Sequence, residues 1–134
     1  MEDGIDKRLV IKHLGDEPWE SAERFGFPPG PEARVFAEAA ETGGVLNVVG
    51  RMPAGFVEPE HVHDDVDHWC VILAGEMHVA GEVLRPGDYL FAPRGVPHGP
   101  LSYPVGCTIF TSVRGAAFDH DFGDDAEFGE PATP

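Results

Sequence analysis

Glycine and proline recur so often along this chain that no long helix can form between them. Seventeen glycines and thirteen prolines are scattered through 134 residues in short clusters rather than gathered in blocks. Glycine carries an entropic cost inside a regular element and proline removes a backbone donor, so each cluster ends whatever element precedes it. The stretches left between them are short and rich in Val, Ile, Leu, Phe and Tyr: 33–39, 45–52, 67–73, 76–79, 82–84, 89–92 and 108–113. Short apolar runs at this spacing, divided by turn signals, predict an all-β sandwich or barrel. Residues 76–84 read as a tight hairpin about Ala80-Gly81. Arg85-Pro86-Gly87-Asp88 reads as a turn, with proline setting φ and glycine taking the left-handed position. Ahead of the strands, 16–24 has room for one short helical turn, and the breaker segment 26–31 passes the chain into the β region. The expected division is therefore an N-terminal arm and lead-in strand over 1–31, a barrel over 32–122 and a loose acidic tail over 123–134.

Charge narrows the function classes. Nine Lys+Arg against 24 Asp+Glu give a formal charge of −15, which repels nucleic acid and anionic membrane surfaces alike. The apolar runs fall short of the roughly 20 residues a membrane span needs. Met1-Glu2-Asp3 opens the chain on acid where a secretory signal is basic and then apolar, so the expected location is cytoplasmic. In that compartment Cys70 and Cys107 are expected as two reduced thiols rather than a disulfide.

Seven histidines are present, and His61, His63 and His68 fall within eight positions. In a strand, His61 and His63 lie on one face with Cα atoms roughly 6.5–7 Å apart, close enough for both rings to reach one ion. An H-x-H pair facing solvent fits the same alternation. The polar stretch Asp64-Asp65-Val66-Asp67 can turn the chain and return His68 to the same point, and the rigid bend Pro93-Arg94-Gly95-Val96-Pro97 can aim His98 inward. By the same period of two, Glu58, Glu60 and Val62 point away from His61 and His63, which makes the two glutamates surface charge. His13, His78 and His120 are isolated and are left out of the candidate set.

Written out with its spacings, this segment resembles the cupin superfamily. Its first motif is Gly, five residues, H-x-H, three or four residues, Glu, six residues, Gly. Here Gly55, His61-Val62-His63, His68 and Gly75 take those places, with histidine in place of the glutamate. The second motif is Gly, five residues, P-x-G, two residues, His, three residues, Asn. Gly87, Pro93-Arg94-Gly95 and His98 match it, with Ser102 where asparagine would stand.

The resemblance implies a double-stranded β-helix, the cupin or jelly-roll barrel, with a metal ion held by His61, His63, His68 and His98. It also implies frequent homodimerisation, often by strand exchange through the N-terminal segment. The histidine at position 68 leaves both charges of a divalent ion uncompensated, which favours an anionic chelating ligand such as an enolate or carboxylate. Alternatively His68 stays off the metal and three histidines form a facial site. Fe(II) is the first expectation, because all-histidine cupins are often oxygen-using iron enzymes, and Zn, Ni, Mn, Co or Cu also suit imidazole ligation.

If His68 faces inward, Cys70 and Ile72 do too, and Phe91, Phe110 and Arg51 are candidates for the substrate pocket, Arg51 as a carboxylate clamp. No general base is assigned. The leading function is a metal-dependent oxygenase, a dioxygenase acting on a small enolisable ketone, diketone or phenol-like compound. The alternatives are a non-redox isomerase, cyclase or lyase, and a non-catalytic metal- or ligand-sensing cupin similar to the domain attached to some zinc-dependent anti-sigma factors.

Overall fold

The computed structural model describes residues 9–115. The tail expected over 123–134, the end of the barrel segment beyond 115 and His120 lie outside the described residues. Within them the chain forms ten strands: β1 (Glu20–Ser21), β2 (Glu32–Ala37), β3 (Val45–Met52), β4 (Phe56–Glu58), β5 (Val66–Gly75), β6 (Met77–Val79), β7 (Glu82–Leu84), β8 (Tyr89–Ala92), β9 (Leu101–Tyr103) and β10 (Cys107–Gly115). They build two antiparallel sheets, ordered β1-β2-β3-β10-β5-β8 and β4-β9-β6-β7. The molecule is mostly β, as its punctuation predicts, in the jelly-roll arrangement that the resemblance implies. No helix among the described residues is long and apolar enough to cross a membrane.

The turns follow their residues. Ala80 (φ 52°) and Gly81 (φ 79°) are both left-handed, which matches the right-handed twist of β6 and β7 on either side. Asp88 donates its N–H to the Arg85 carbonyl at 2.8 Å, closing the turn expected there. The run 33–39 is strand only to Ala37. Glu38 and Glu41 then cap one another's backbone and start a single helical turn, α1 (Ala39–Thr42), which Gly43 ends in the left-handed conformation. In place of one helical turn over 16–24, two 3₁₀ turns, Leu14–Asp16 and Ala22–Phe25, flank β1. Strands β4 and β9 have three residues each, too few to display an alternation in sequence.

Between the sheets lies a core that includes Phe56, Ile72, Met77, Leu101, Tyr103 and Ile109, closed at one side by Ala22, Phe25 and Phe27 of the N-terminal arm. Register carries the inward parity from strand to strand. Cys70 stands opposite Thr111 and Leu90, and Thr111 opposite Val48. Directly opposed residues share a face, so one inward side chain on β5 fixes its partners on both neighbours.

Gly75 ends β5 where the chain turns beneath the start of β10. Its φ is +79°, and a Cβ there would lie 2.1 Å from the Gly106 carbonyl oxygen. Both strain and collision fall on backbone that cannot move aside. Gly75→Ala is expected to destabilise the fold by at least about 2 kcal/mol, read as a lowered midpoint in urea with an unchanged slope.

Candidate metal centre

Pro59 ends β4, because proline has no N–H to continue the ladder. Two residues later the chain pairs again, and His61 and His98 form an isolated antiparallel bridge. Each donates its N–H to the other's carbonyl at 2.9 Å, and Gly95 donates to the His63 carbonyl at 2.8 Å. Three backbone bonds thus stitch the H-x-H segment to the loop carrying His98. Gly99 makes this close approach possible, since its φ is +106° and a Cβ would stand 3.0 Å from the Glu60 Cα. Arg94 braces the same loop through its guanidinium, 3.1 Å from Asp67 at the head of β5.

The rings meet as a result. His61 and His98 lie with centroids 4.2 Å apart, His61 and His63 at 5.0 Å, and His63 and His98 at 5.5 Å. One ligand nitrogen from each of these three lies within 4.8 Å of the other two, an arrangement that could hold a metal ion. His68 stands further out, 6.1 Å from His63 and 6.2 Å from His98 between centroids, and is not in that trio. Three of the four candidate ligands thus lie within reach of one ion, and His68 stands in the cavity wall beside them.

Hydrogen bonding sets the tautomers. A carbonyl oxygen only accepts, so His61 Nδ1–H donates to Pro59 O at 2.9 Å and His98 Nδ1–H to Val96 O at 3.2 Å. In both rings Nε2 then carries the lone pair, and among the described residues the buried His98 Nε2 has no hydrogen-bond partner. Burial pushes His61 down to about 4 and His68 down to about 3, and lowers His63 and His98 as well. Desolvation outweighs the backbone bonds that would favour the charged form, so the rings are neutral at neutral pH, the state a metal requires. Donor type, tautomer and the orphaned nitrogen all fit a divalent transition metal.

A cavity of about 60 Å³ adjoins the cluster. His61, His68 and His98 line it together with Phe25, Phe27, Met52, Leu90 and Ile109. Cys70 faces it from β5, and Ile72 packs in the core further along the same strand. Both cysteines are free thiols, as expected.

Of the five expected pocket residues, Ile72, Phe91, Phe110 and Arg51 are absent from the cavity wall. Phe91 stands directly opposite Trp69, which faces away from Cys70, and the two rings stack at 5.1 Å with Phe91 42% exposed. Phe110 is opposite Val71 and packs near Phe36 at 6.4 Å. Arg51 is absent from the cavity wall: it pairs with Glu32 at 2.7 Å and lies over the Trp19 ring at 4.0 Å. Cross-strand register turns Phe91 and Phe110 to the other face, and Arg51 is turned there by alternation with Met52 on its own strand.

Glu58 was expected at the surface and is instead 4% exposed, in the cavity wall. The period of two fails because Pro59 interrupts it: Phe56 and Glu58 face inward before the break, and His61 and His63 after it. Tyr103 donates its hydroxyl to Glu58 Oε1 at 2.5 Å. Burial pushes the Glu58 carboxyl up to about 7, against the lowering effect of that bond. A proline between an acid and an H-x-H is the one sequence signal that could have exposed the slip.

The family model for the ChrR cupin-like domain matches residues 8–117. The chain belongs to the ChrR cupin-like family. No curated protein sequence matches it. Among solved structures, this ChrR-like cupin is similar to an RmlC-like cupin from Shewanella frigidimarina at 20% identity and a TM-score of 0.64, covering 81% of this chain and 93% of that one. It is similar to KdgF from Halomonas sp. at 20% identity and a TM-score of 0.63, covering 84% and 96%. A third likeness is to the Rhodobacter sphaeroides complex of SigE with the anti-sigma ChrR, at 18% identity and a TM-score of 0.57, covering 76% of this chain and 50% of that one. At these identities the structural likeness speaks for the fold, and the cluster at His61, His63 and His98 speaks for this ChrR-like cupin's own chemistry.

Proposed function

We propose that this ChrR-like cupin is a metal-dependent enzyme, a dioxygenase acting on a small enolisable ketone or diketone. One observation carries the reading: three imidazoles converge at the edge of a small cavity whose wall is otherwise largely apolar. His61, His63 and His98 would hold a divalent transition metal, Fe(II) first, with His68 beside them in the wall. Bound there, the metal supplies Lewis acidity and, as iron, redox exchange with dioxygen. Phe25, Phe27, Met52, Leu90 and Ile109 exclude water and seat the carbon skeleton of the substrate. The cavity, of about 60 Å³, limits the substrate to a small molecule. Both atoms of dioxygen enter the cleaved products, so no external reductant is required. The homodimer implied by the resemblance belongs to the same proposal, and sedimentation checks it.

Protein loaded anaerobically with Fe(II) is expected to take up oxygen on addition of pentane-2,4-dione, with one dioxygen consumed per diketone. Turnover that proceeds equally without oxygen, or with Zn, would replace the dioxygenase by a non-redox isomerase or lyase in the same cavity. A second reading, a metal- or ligand-responsive module that docks on a protein, draws support from the likeness to the anti-sigma ChrR in complex with SigE. It predicts metal uptake with no consumption of the diketone under either atmosphere.

A further inference from the structure

Among the described residues Glu58 is the buried acid, and no cation answers it. Burial is the main influence on the carboxyl, and the counterweight is the Tyr103 hydroxyl on Oε1. Oε2 takes no part in that bond. The titratable groups that act with Glu58 are Tyr103 on β9, Cys70 on β5 and Cys107 on β10, and both thiols are pushed up to about 12, which keeps them neutral. His61, His68 and His98 share the cavity wall with it. A strut holding the two sheets together would be served better by an amide or an ion pair, because an unpaired buried carboxyl costs stability whenever it ionises. A buried carboxyl on a residue of the cavity wall, with one oxygen held and the other outside that bond, is the arrangement a proton shuttle requires.

We infer that Glu58 is the proton-transfer group of this site, taking a proton from the carbon next to a carbonyl whose oxygen lies at the imidazole end of the cavity. The C–H electron pair becomes the enolate double bond as the proton passes to the ionised Glu58. The negative charge moves to the substrate oxygen, and the protonated Glu58 returns a proton to the same carbon, restoring the ketone. The step is redox-neutral and needs no co-reactant. Tyr103 is a positioning residue that orients the carboxyl. The inference rests on the reading of the histidines as a metal-held carbonyl site, and it names the group that prepares the ketone for either oxygen attack or isomerisation.

The probe is hydroxyacetone in D₂O under nitrogen, with Zn-loaded protein and exchange of its CH₂ protons followed by NMR. Wild type is expected to exchange them, and Glu58→Gln to lose at least about 100-fold of the rate while binding Zn with the same stoichiometry. Tyr103→Phe is expected to keep part of the rate and to shift its pH profile, which a purely structural role would not do. An independent readout is the infrared carbonyl band of the protonated carboxyl in metal-free protein, assigned by its absence in Glu58→Gln and expected to titrate near neutral pH. Exchange by Glu58→Gln at the wild-type rate overturns the inference alone. So does a carboxyl band that does not change between about pH 5 and about pH 9. Wild-type protein that takes up no Zn, or takes it up and leaves hydroxyacetone unexchanged, overturns the underlying carbonyl-site reading and the inference with it.

Discussion

Replacing His98 with alanine is expected to weaken uptake of a divalent transition metal by at least about 100-fold, more than the loss typical of a partner that only orients a ligand. The side chain removed is the ring nearest His61, at 4.2 Å between centroids, and it carries the buried nitrogen with no hydrogen-bond partner among the described residues. The fold should survive. The bonds joining this loop to the H-x-H segment run through the backbone of His61, His98, Gly95 and His63, which alanine preserves. Competition against a calibrated chelator measures the affinity, and circular dichroism checks the fold. His78→Ala is the control, since that ring pairs with Glu76 and has no place in the trio. Equal affinity in the His98 variant and wild type would remove the metal centre from this molecule.

Glu58→Gln is expected to stabilise chelator-treated protein above neutral pH, an unusual outcome for a change in the core. In the folded chain the carboxyl is pushed up to about 7 from an ordinary value of 4.5. Between those values the native state binds the proton and the unfolded chain has lost it. Stability therefore falls as pH rises through this window, by about 3 kcal/mol in all, and levels off above it. Glutamine keeps the shape and can still accept from Tyr103, and it has no proton to lose. At pH 8 the variant should melt roughly 10 °C above wild type, and near pH 4 the two curves should meet. The difference between the two proteins isolates Glu58 from the other acids of a chain carrying −15. Parallel curves across that range would mean that Glu58 ionises in the fold as it does in water.

Both expectations meet at the same proline, which also separates what was legible in the sequence from what was not. His61, His63 and His98 could be read as one site because each stands at a fixed distance from a turn residue, and turns at Pro93-Arg94-Gly95 and Gly99 behave alike in most surroundings. Glu58 could not, because its face depends on how the chain restarts after Pro59, and that depends on a bridge to His98 some forty residues away. Phe91, Phe110 and Arg51 were misplaced for a related reason. Each lies on a strand whose alternation is plain and whose phase is not, and for Phe91 and Phe110 the phase comes from Trp69 and Val71 on the neighbouring strand.

The amino-acid sequence alone determined the all-β class, the hairpin at Ala80-Gly81 and the turn at Gly87, because backbone preference and period act over a few residues. Tertiary structure decided that His61, His63 and His98 lie within reach of one ion with His68 in the wall beside them, that a carboxylate shares their cavity, and which aromatic rings stay outside it. Those outcomes rest on register between strands distant in the chain, and a shift of one residue in register exchanges the inside of a sheet for its outside.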